Sequence, residues 1–228
     1  MKLYNYLLGW RRWDIRKHDI VLEVGSGGNP MVRSNILIDK FIDWDGEREL
    51  KIAIDDRPLI CAEAENLPFK DNTFNFVYTS HVLEHIANIE KTLAEITRVG
   101  EAGLIIVPGE IFERAWDKGT HKWIINKNNG KLIFKNKCEC TKLQQCDTLG
   151  KWKGIFWKIY VKNRSFLDVH FLWKKHIPFK IIRCEANHEP DNNNIDYSEP
   201  INRQVSLKKK WKQKILIVLA RIIRLVFT

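Results

Sequence analysis

The chain has little that could staple or anchor it. Its 228 residues include five cysteines, at 61, 138, 140, 146 and 184, an odd number in a chain long enough to bury a core without disulfides. A disulfide scaffold is excluded, and a reducing compartment is expected. The opening stretch MKLYNYLLGWRRW lacks the apolar run of about 7 to 15 residues that a secretory signal needs. Tyr4, Asn5, Tyr6 and Gly9 interrupt it, and Arg11 and Arg12 close it, so a cytoplasmic protein is expected. Acidic residues are what the second half lacks. Residues 111–228 hold 10 Asp+Glu against 25 Lys+Arg, net +15, whereas residues 1–110 hold 18 against 13, net −5. A basic surface of that size attracts phosphates of any kind, on nucleic acid, anionic lipid or a phosphorylated acceptor.

Nine Trp and eleven Phe belong to a packed globular protein. Short apolar runs at 20–24 (IVLEV), 36–39 (ILID), 59–62 (LICA), 74–79 (FNFVYT) and 103–107 (GLIIV) are each bounded by Gly, Pro, Asp or Asn. Apolarity without alternation is the mark of a parallel strand covered on both faces. Between the last two runs, Leu83, Ile86, Leu93, Ile96 and Val99 recur at helical spacing, which predicts a helix over 81–99. Strand, helix, strand is a parallel crossover, and the first half reads as an α/β, doubly wound, mostly parallel Rossmann-like sheet. The first crossover is short: residues 28–35 leave room for about one helical turn, so the first helix is expected to be stunted.

Later segments have a different texture. HKWIINKNNGKLIFKNK alternates about Asn128, Asn129 and Gly130, which predicts a β-hairpin. Two further strands, over 165–173 and 179–184, are expected to complete the sheet. Residues 1–184 then form one domain with a hairpin insertion at about 110–160, and 185–206, rich in Asn and polar residues, form a linker. Residues 207–228 read as a basic amphipathic helix. Lys210, Lys214, Arg221 and Arg224 gather on one side, and Leu216, Leu219, Ile222, Ile223 and Val226 on the other. With fewer than the ~20 apolar residues of a span, it is expected to lie on an anionic membrane surface, placing the protein on the inner face of the membrane.

The stretch VLEVGSGGNP, residues 21–30, is a strand followed by Gly25, Ser26 and Gly27, where the backbone can turn tightly and approach a ligand. A dinucleotide fingerprint needs a third glycine at position 30, where Pro stands, and a full helix facing a pyrophosphate. Both are missing, and a ligand lacking a pyrophosphate would need neither. Asp39 ends the second strand, where a carboxylate can accept ribose hydroxyls. CAEAENLPF follows the third, and FNFVYTSHVLEHI the fourth. In this order VLEVGSGGNP, ILIDK, AEAENLPF, FNFVYTSHVLEHI and IEKTLAEITRVGEAGLIIVP resemble the class I S-adenosylmethionine-dependent methyltransferases, in particular the branch with the type 11 methyltransferase domain, over about residues 18–110.

The resemblance implies S-adenosylmethionine as cofactor, which carries no phosphate. Glu23, Gly25, Ser26 and Gly27 would cradle its methionine part, Asp39 would take the ribose, Glu63 and Ala64 the adenine edge, and Ser80 and His81 the floor beside the methyl group. Asn29 stands where many relatives have a third glycine. His81 and His121 are the candidate acid–base residues, needed only where the acceptor loses a proton. Trp116 and Trp123 flank His121 as the candidate aromatic rim over the acceptor. No metal site is expected: Cys138, Cys140 and Cys146 lack the usual spacing of zinc ligands. The expected acceptor is a small molecule, a lipid or a lipid-linked glycan. An RNA methyltransferase is the alternative favoured by the basic half, although no Asn/Asp-Pro-Pro-aromatic element follows the fourth strand. A non-catalytic scaffold with this fold is the other.

Overall fold

A computed structural model describes residues 15–42, 50–116, 119–137, 158–160, 162–163 and 167–183, with Trp13 and Val218. Nine strands occur among them: β1 (Val21–Val24), β2 (Ile36–Asp39), β3 (Leu59–Cys61), β4 (Phe76–Ser80), β5 (Ala102–Pro108), β6 (Trp123–Asn128), β7 (Lys131–Asn136), β8 (Asp168–Lys174) and β9 (Phe179–Ile182). The main sheet runs β3-β2-β1-β4-β5-β8, parallel except for β8, which pairs antiparallel with β5. The order reverses between β1 and β2 on one side and β4 on the other, so the carboxyl ends of β1 and β4 frame a crevice.

The apolar run of β1 is explained by its two neighbours. Leu22 and Val24 face one core with Val77, Leu93, Ile96 and Ile105, while Val21 faces a second with Phe76, Leu104 and Ile15. Successive side chains of a strand point to opposite faces, so a strand covered on both is apolar on both, Glu23 being the exception in β1. Helix α1 (Ile89–Val99) covers the first face with buried Ile89, Leu93, Ile96 and Val99. Each such aliphatic side chain contributes about 1.5–3 kcal/mol by leaving water.

Helix α1 is shorter than its periodicity predicts. Its cap is Asn88, whose side chain accepts from the Lys91 N–H at 3.0 Å. The segment before it is not helical: His81 has φ +58°, and residues 83–85 form a single 3₁₀ turn. The first crossover contains no helix at all. Residues 27–35 are turns and bends, held from outside by buried side chains. Arg57 donates to the carbonyls of Met31 and Ser34 at 2.7 and 3.2 Å while gripping Asp55. Arg33 donates through Nη2 to the carbonyls of Arg16, Lys17 and Asp19. These bonds satisfy carbonyls at the turn and its border that helical bonding does not.

The hairpin forms as predicted, with Asn129 and Gly130 at positive φ between β6 and β7. Helix α2 (Glu110–Trp116) precedes it. Of the two late strands only β8 joins the main sheet. β9 pairs parallel with β7 and makes a separate three-stranded sheet, β6-β7-β9, which corrects the expectation that both complete one sheet. The reason lies in the chain after β8, where Lys175 takes φ +67° and Lys174 bridges His176, turning the backbone away from β5. No helix among the described residues is long and apolar enough to cross a membrane. The linker, the tail apart from Val218, and Cys138, Cys140, Cys146 and Cys184 lie outside the described residues.

Candidate functional site

At the carboxyl end of β1 the N–H groups of Gly25 and Ser26 both donate to the Ile38 carbonyl, at 2.8 and 3.0 Å, bending the chain sharply over β2. Gly25 and Gly27 have φ of +76° and +53°. Their reasons for being glycine differ. A Cβ on Gly25 would stand 2.1 Å from Val82 Cγ2, whereas one on Gly27 would meet nothing within 4 Å among the described residues. The turn is closed on the β4 side and open at Gly27. Beside it the Ser26 hydroxyl is buried and, among the described residues, without a hydrogen-bond partner, as is the Thr79 hydroxyl on β4.

Glu23, 3% exposed, points out of β1 beneath this loop. One of its oxygens accepts from the Met31 N–H at 2.8 Å and from the Ser34 hydroxyl at 2.6 Å. Burial pushes its pKa up to about 7, against the pull of the Ser34 hydroxyl, the Arg57 charge and the Met31 N–H. Glu23 therefore shapes the loop from below. Asp39 is 6% exposed and is also turned inward, its two oxygens accepting from the N–H groups of Gly27 (2.9 Å) and Phe41 (3.0 Å). Glu63 is half exposed and paired with Lys40 at 2.9 Å, and Ala64 lies in the core at 8% exposure.

These residues fit a cofactor with an amino-acid tail and a ribose. The open turn at Gly27, the Ser26 hydroxyl, unpartnered among the described residues, and the carboxylate of Asp39 supply a concave backbone, a donor and an acceptor at one edge.

On the other side of Val82 lies a second cluster. His81 Nε2 donates to Asp168 Oδ2 at 3.2 Å, and its Nδ1 stands 3.4 Å from Glu84 Oε1. Asp168 also accepts from the Tyr160 hydroxyl at 2.7 Å. Glu84 is 1% exposed. Burial alone would raise its pKa, but the His81 contact and the charges of His81, His85 and His121 outweigh that and hold it at about 2. His85 Nδ1 donates to the Thr120 carbonyl at 3.2 Å. His121, 5% exposed, donates through Nδ1 to Glu113 Oε1 at 2.5 Å, and Glu113 is gripped by Lys137 at 2.7 Å.

The structure thus brings Glu23, Gly25, Ser26, Gly27 and Asp39 to one edge, with Ser80 and His81 ending the adjacent strand. Glu63 and Ala64 flank it after β3. His121 is not in an open loop but buried against His85, their rings T-shaped with centroids 4.6 Å apart. Trp123 is no rim residue either: it is 5% exposed, and its indole N–H donates to the Ile86 carbonyl at 2.7 Å, so its ring is core against Phe134. Trp116 ends α2, and its side chain lies outside the described ones. Sequence reasoning passed over Glu84, Glu113 and Asp168. The signal for Glu84 was a carboxylate set among Val82, Leu83 and Ile86, which pack inward. Glu113 and Asp168, far away in the chain, gave none.

Residues 37–107 match the model of the methyltransferase domain family. The chain is 44% identical over 48 residues to demethylmenaquinone methyltransferase of Corynebacterium urealyticum, covering 21% of each. It is 34% identical over 58 residues to sterol 4-C-methyltransferase strm-1 of Caenorhabditis elegans, covering 25% of this chain and 17% of that one. The chain thus spans about a fifth of the length of these curated relatives. Among solved structures, the YcgJ protein of Bacillus subtilis aligns with a TM-score of 0.39 and 16% identity, over 50% of this chain and 58% of that one.

Proposed function

We propose that this chain, which carries a class I methyltransferase domain with S-adenosylmethionine as the implied cofactor, transfers a methyl group to a small-molecule or lipid acceptor at the crevice between β1 and β4. One observation carries the reading. Among the described residues, the glycine turn at the reversal of strand order is open at Gly27 and presents a buried Ser26 hydroxyl with no partner. The cofactor, when bound, supplies a methyl group already activated on a sulfonium. What remains for the protein is to bind, orient and exclude water.

Gly25, Ser26 and Gly27 would hold the amino-acid end, with Glu23 fixing the loop from below. Asp39, held at the end of β2 by the N–H groups of Gly27 and Phe41, would accept the ribose hydroxyls. Ala64 and the stem of Glu63 would border the base. Ser80 and His81 would floor the acceptor side, where His81 is oriented by Asp168 on one nitrogen and Glu84 near the other. His121, at 5% exposure, is too buried to reach an acceptor. The relatives named for demethylmenaquinone and sterol favour an apolar lipid acceptor here, and the basic residues 207–228 favour an anionic membrane as the place to meet it.

Calorimetric titration with S-adenosylhomocysteine tests the cofactor site. Asp39→Ala should weaken binding by about 10- to 150-fold, the loss of about 1.5–3 kcal/mol of charge-assisted contact. Unchanged affinity in a folded variant would remove Asp39 from the site, and no binding by the wild-type chain would leave the scaffold reading in place. Transfer of labelled methyl groups into quinone- and sterol-containing lipid extracts tests the acceptor; label appearing only in added RNA would overturn it. Flotation with anionic liposomes, lost on ending the chain at Ser206, tests the tail, and equal flotation of both chains would refute its role.

A further inference from the structure

We propose that Glu84, His85 and His121 bind a divalent transition-metal ion, zinc foremost, which ties the turn after β4 to the loop before β6. One ligand atom from each lies within 4.8 Å of the others. Zinc takes imidazole nitrogen and carboxylate oxygen at about 2.0–2.2 Å, so tetrahedral ligands sit roughly 3.4 Å apart. Side-chain rotations of about an ångström close that difference. Two imidazoles and one carboxylate suit zinc or another first-row transition ion, whereas magnesium and calcium prefer oxygen alone.

Two further observations point to an ion. The Glu84 carboxylate is 1% exposed, and among the described residues neither of its oxygens accepts a well-formed hydrogen bond, His81 Nδ1 standing off at 3.4 Å from Oε1 alone. A buried carboxylate in that condition calls for positive charge beside it. Both histidines are also held as metal-binding histidines are held. His85 donates through Nδ1 to the Thr120 carbonyl, and His121 donates through Nδ1 to Glu113, itself fixed by Lys137. Such contacts select the tautomer whose Nε2 coordinates, and they raise its basicity. The backbone supports the same junction, since the Lys122 N–H donates to the Glu84 carbonyl at 2.7 Å. His81 is not one of the three, because its Nε2 is directed to Asp168. The site does not depend on methyl transfer and is measured without cofactor or acceptor.

The full chain, purified without a histidine tag and dialysed against zinc, should retain close to one zinc per chain by elemental mass spectrometry, and a chelator should lower its melting temperature. Glu84→Gln and His121→Ala should weaken zinc binding at least a hundredfold. Glu113→Gln, which leaves every ligand in place, should weaken it by about 10- to 100-fold. Cobalt in place of zinc should give visible d–d bands of a nitrogen–oxygen site, unchanged when Cys138, Cys140 and Cys146 are replaced by serine. No retained zinc, or wild-type affinity in folded Glu84→Gln and Glu113→Gln, would overturn the proposal. A thiolate-to-cobalt charge-transfer band, lost with the three cysteines, would overturn it by moving the ion to them.

Discussion

Glu23 and Glu84 are both buried, at 3% and 1% exposure, on opposite sides of Val82, yet their acidities are driven apart. Burial dominates at Glu23, among N–H and hydroxyl donors with one arginine near, and its pKa rises to about 7. Burial acts on Glu84 as well, but three histidines face it, and its pKa falls to about 2. A carboxylate that only shapes a loop needs neutral donors. One with histidines gathered around it is kept charged, at the expense of requiring those rings to converge. The difference is one of neighbours rather than of depth.

The comparison can be broken most forcefully at Gly25, the contact between the two regions. Gly25→Ala places a methyl group 2.1 Å from Val82 Cγ2 at φ +76°. Overpacking and the left-handed backbone together should cost about 2–5 kcal/mol, read by urea unfolding. An unchanged midpoint would mean that the glycine turn and the histidine turn do not bear on one another.

The next effect is electrostatic. Because the folded pKa of Glu23 lies above its unfolded value, its contribution to stability is full below about pH 4.5 and is lost as pH rises through about 7. The swing, at 1.36 kcal/mol per pKa unit, is on the order of 3 kcal/mol. Glu23→Gln keeps an acceptor for Met31 and Ser34 and should flatten stability between pH 5 and pH 8 relative to wild type. Identical pH profiles would show that Glu23 ionises in the folded chain as it does in water. The smallest effect is expected at Gly27→Ala, where the new methyl group meets open space and only the backbone conformation opposes it, at about 1–2 kcal/mol. A loss matching that of Gly25→Ala would erase the distinction between the closed and open ends of the turn.

What could be read from the sequence was what neighbouring residues settle among themselves. The five parallel strands, the Asn129-Gly130 hairpin and the glycine turn each announce themselves within a few residues, through apolarity or turn chemistry. The start of α1 was legible in principle, since Asn88 is a cap three residues before Lys91, but the apolar spacing of Leu83 and Ile86 extends the helical pattern across a segment whose backbone is not helical. The missing first helix was half legible: its shortness showed, but not the Arg33 and Arg57 contacts that replace it, because those arginines bind carbonyls up to 26 residues away. The histidine cluster was illegible for the same reason. His85, Glu113 and His121 meet only through the docking of α2 and β6, and Trp123 looked like a rim residue until the Ile86 carbonyl beneath it gave its indole a buried partner.

The parallel pairing of β9 with β7 sets a timetable for synthesis. β6 and β7 can close as a hairpin as soon as they leave the ribosome, within microseconds. Leu132 and Phe134, by contrast, wait for Phe179 and Ile181, which emerge only after the intervening stretch and β8. β8 must meanwhile find β5 in antiparallel register. A stalled or truncated chain ending before residue 179 would hold a finished glycine turn and a closed hairpin, but with the outer edge of β7 open to any other nascent chain nearby.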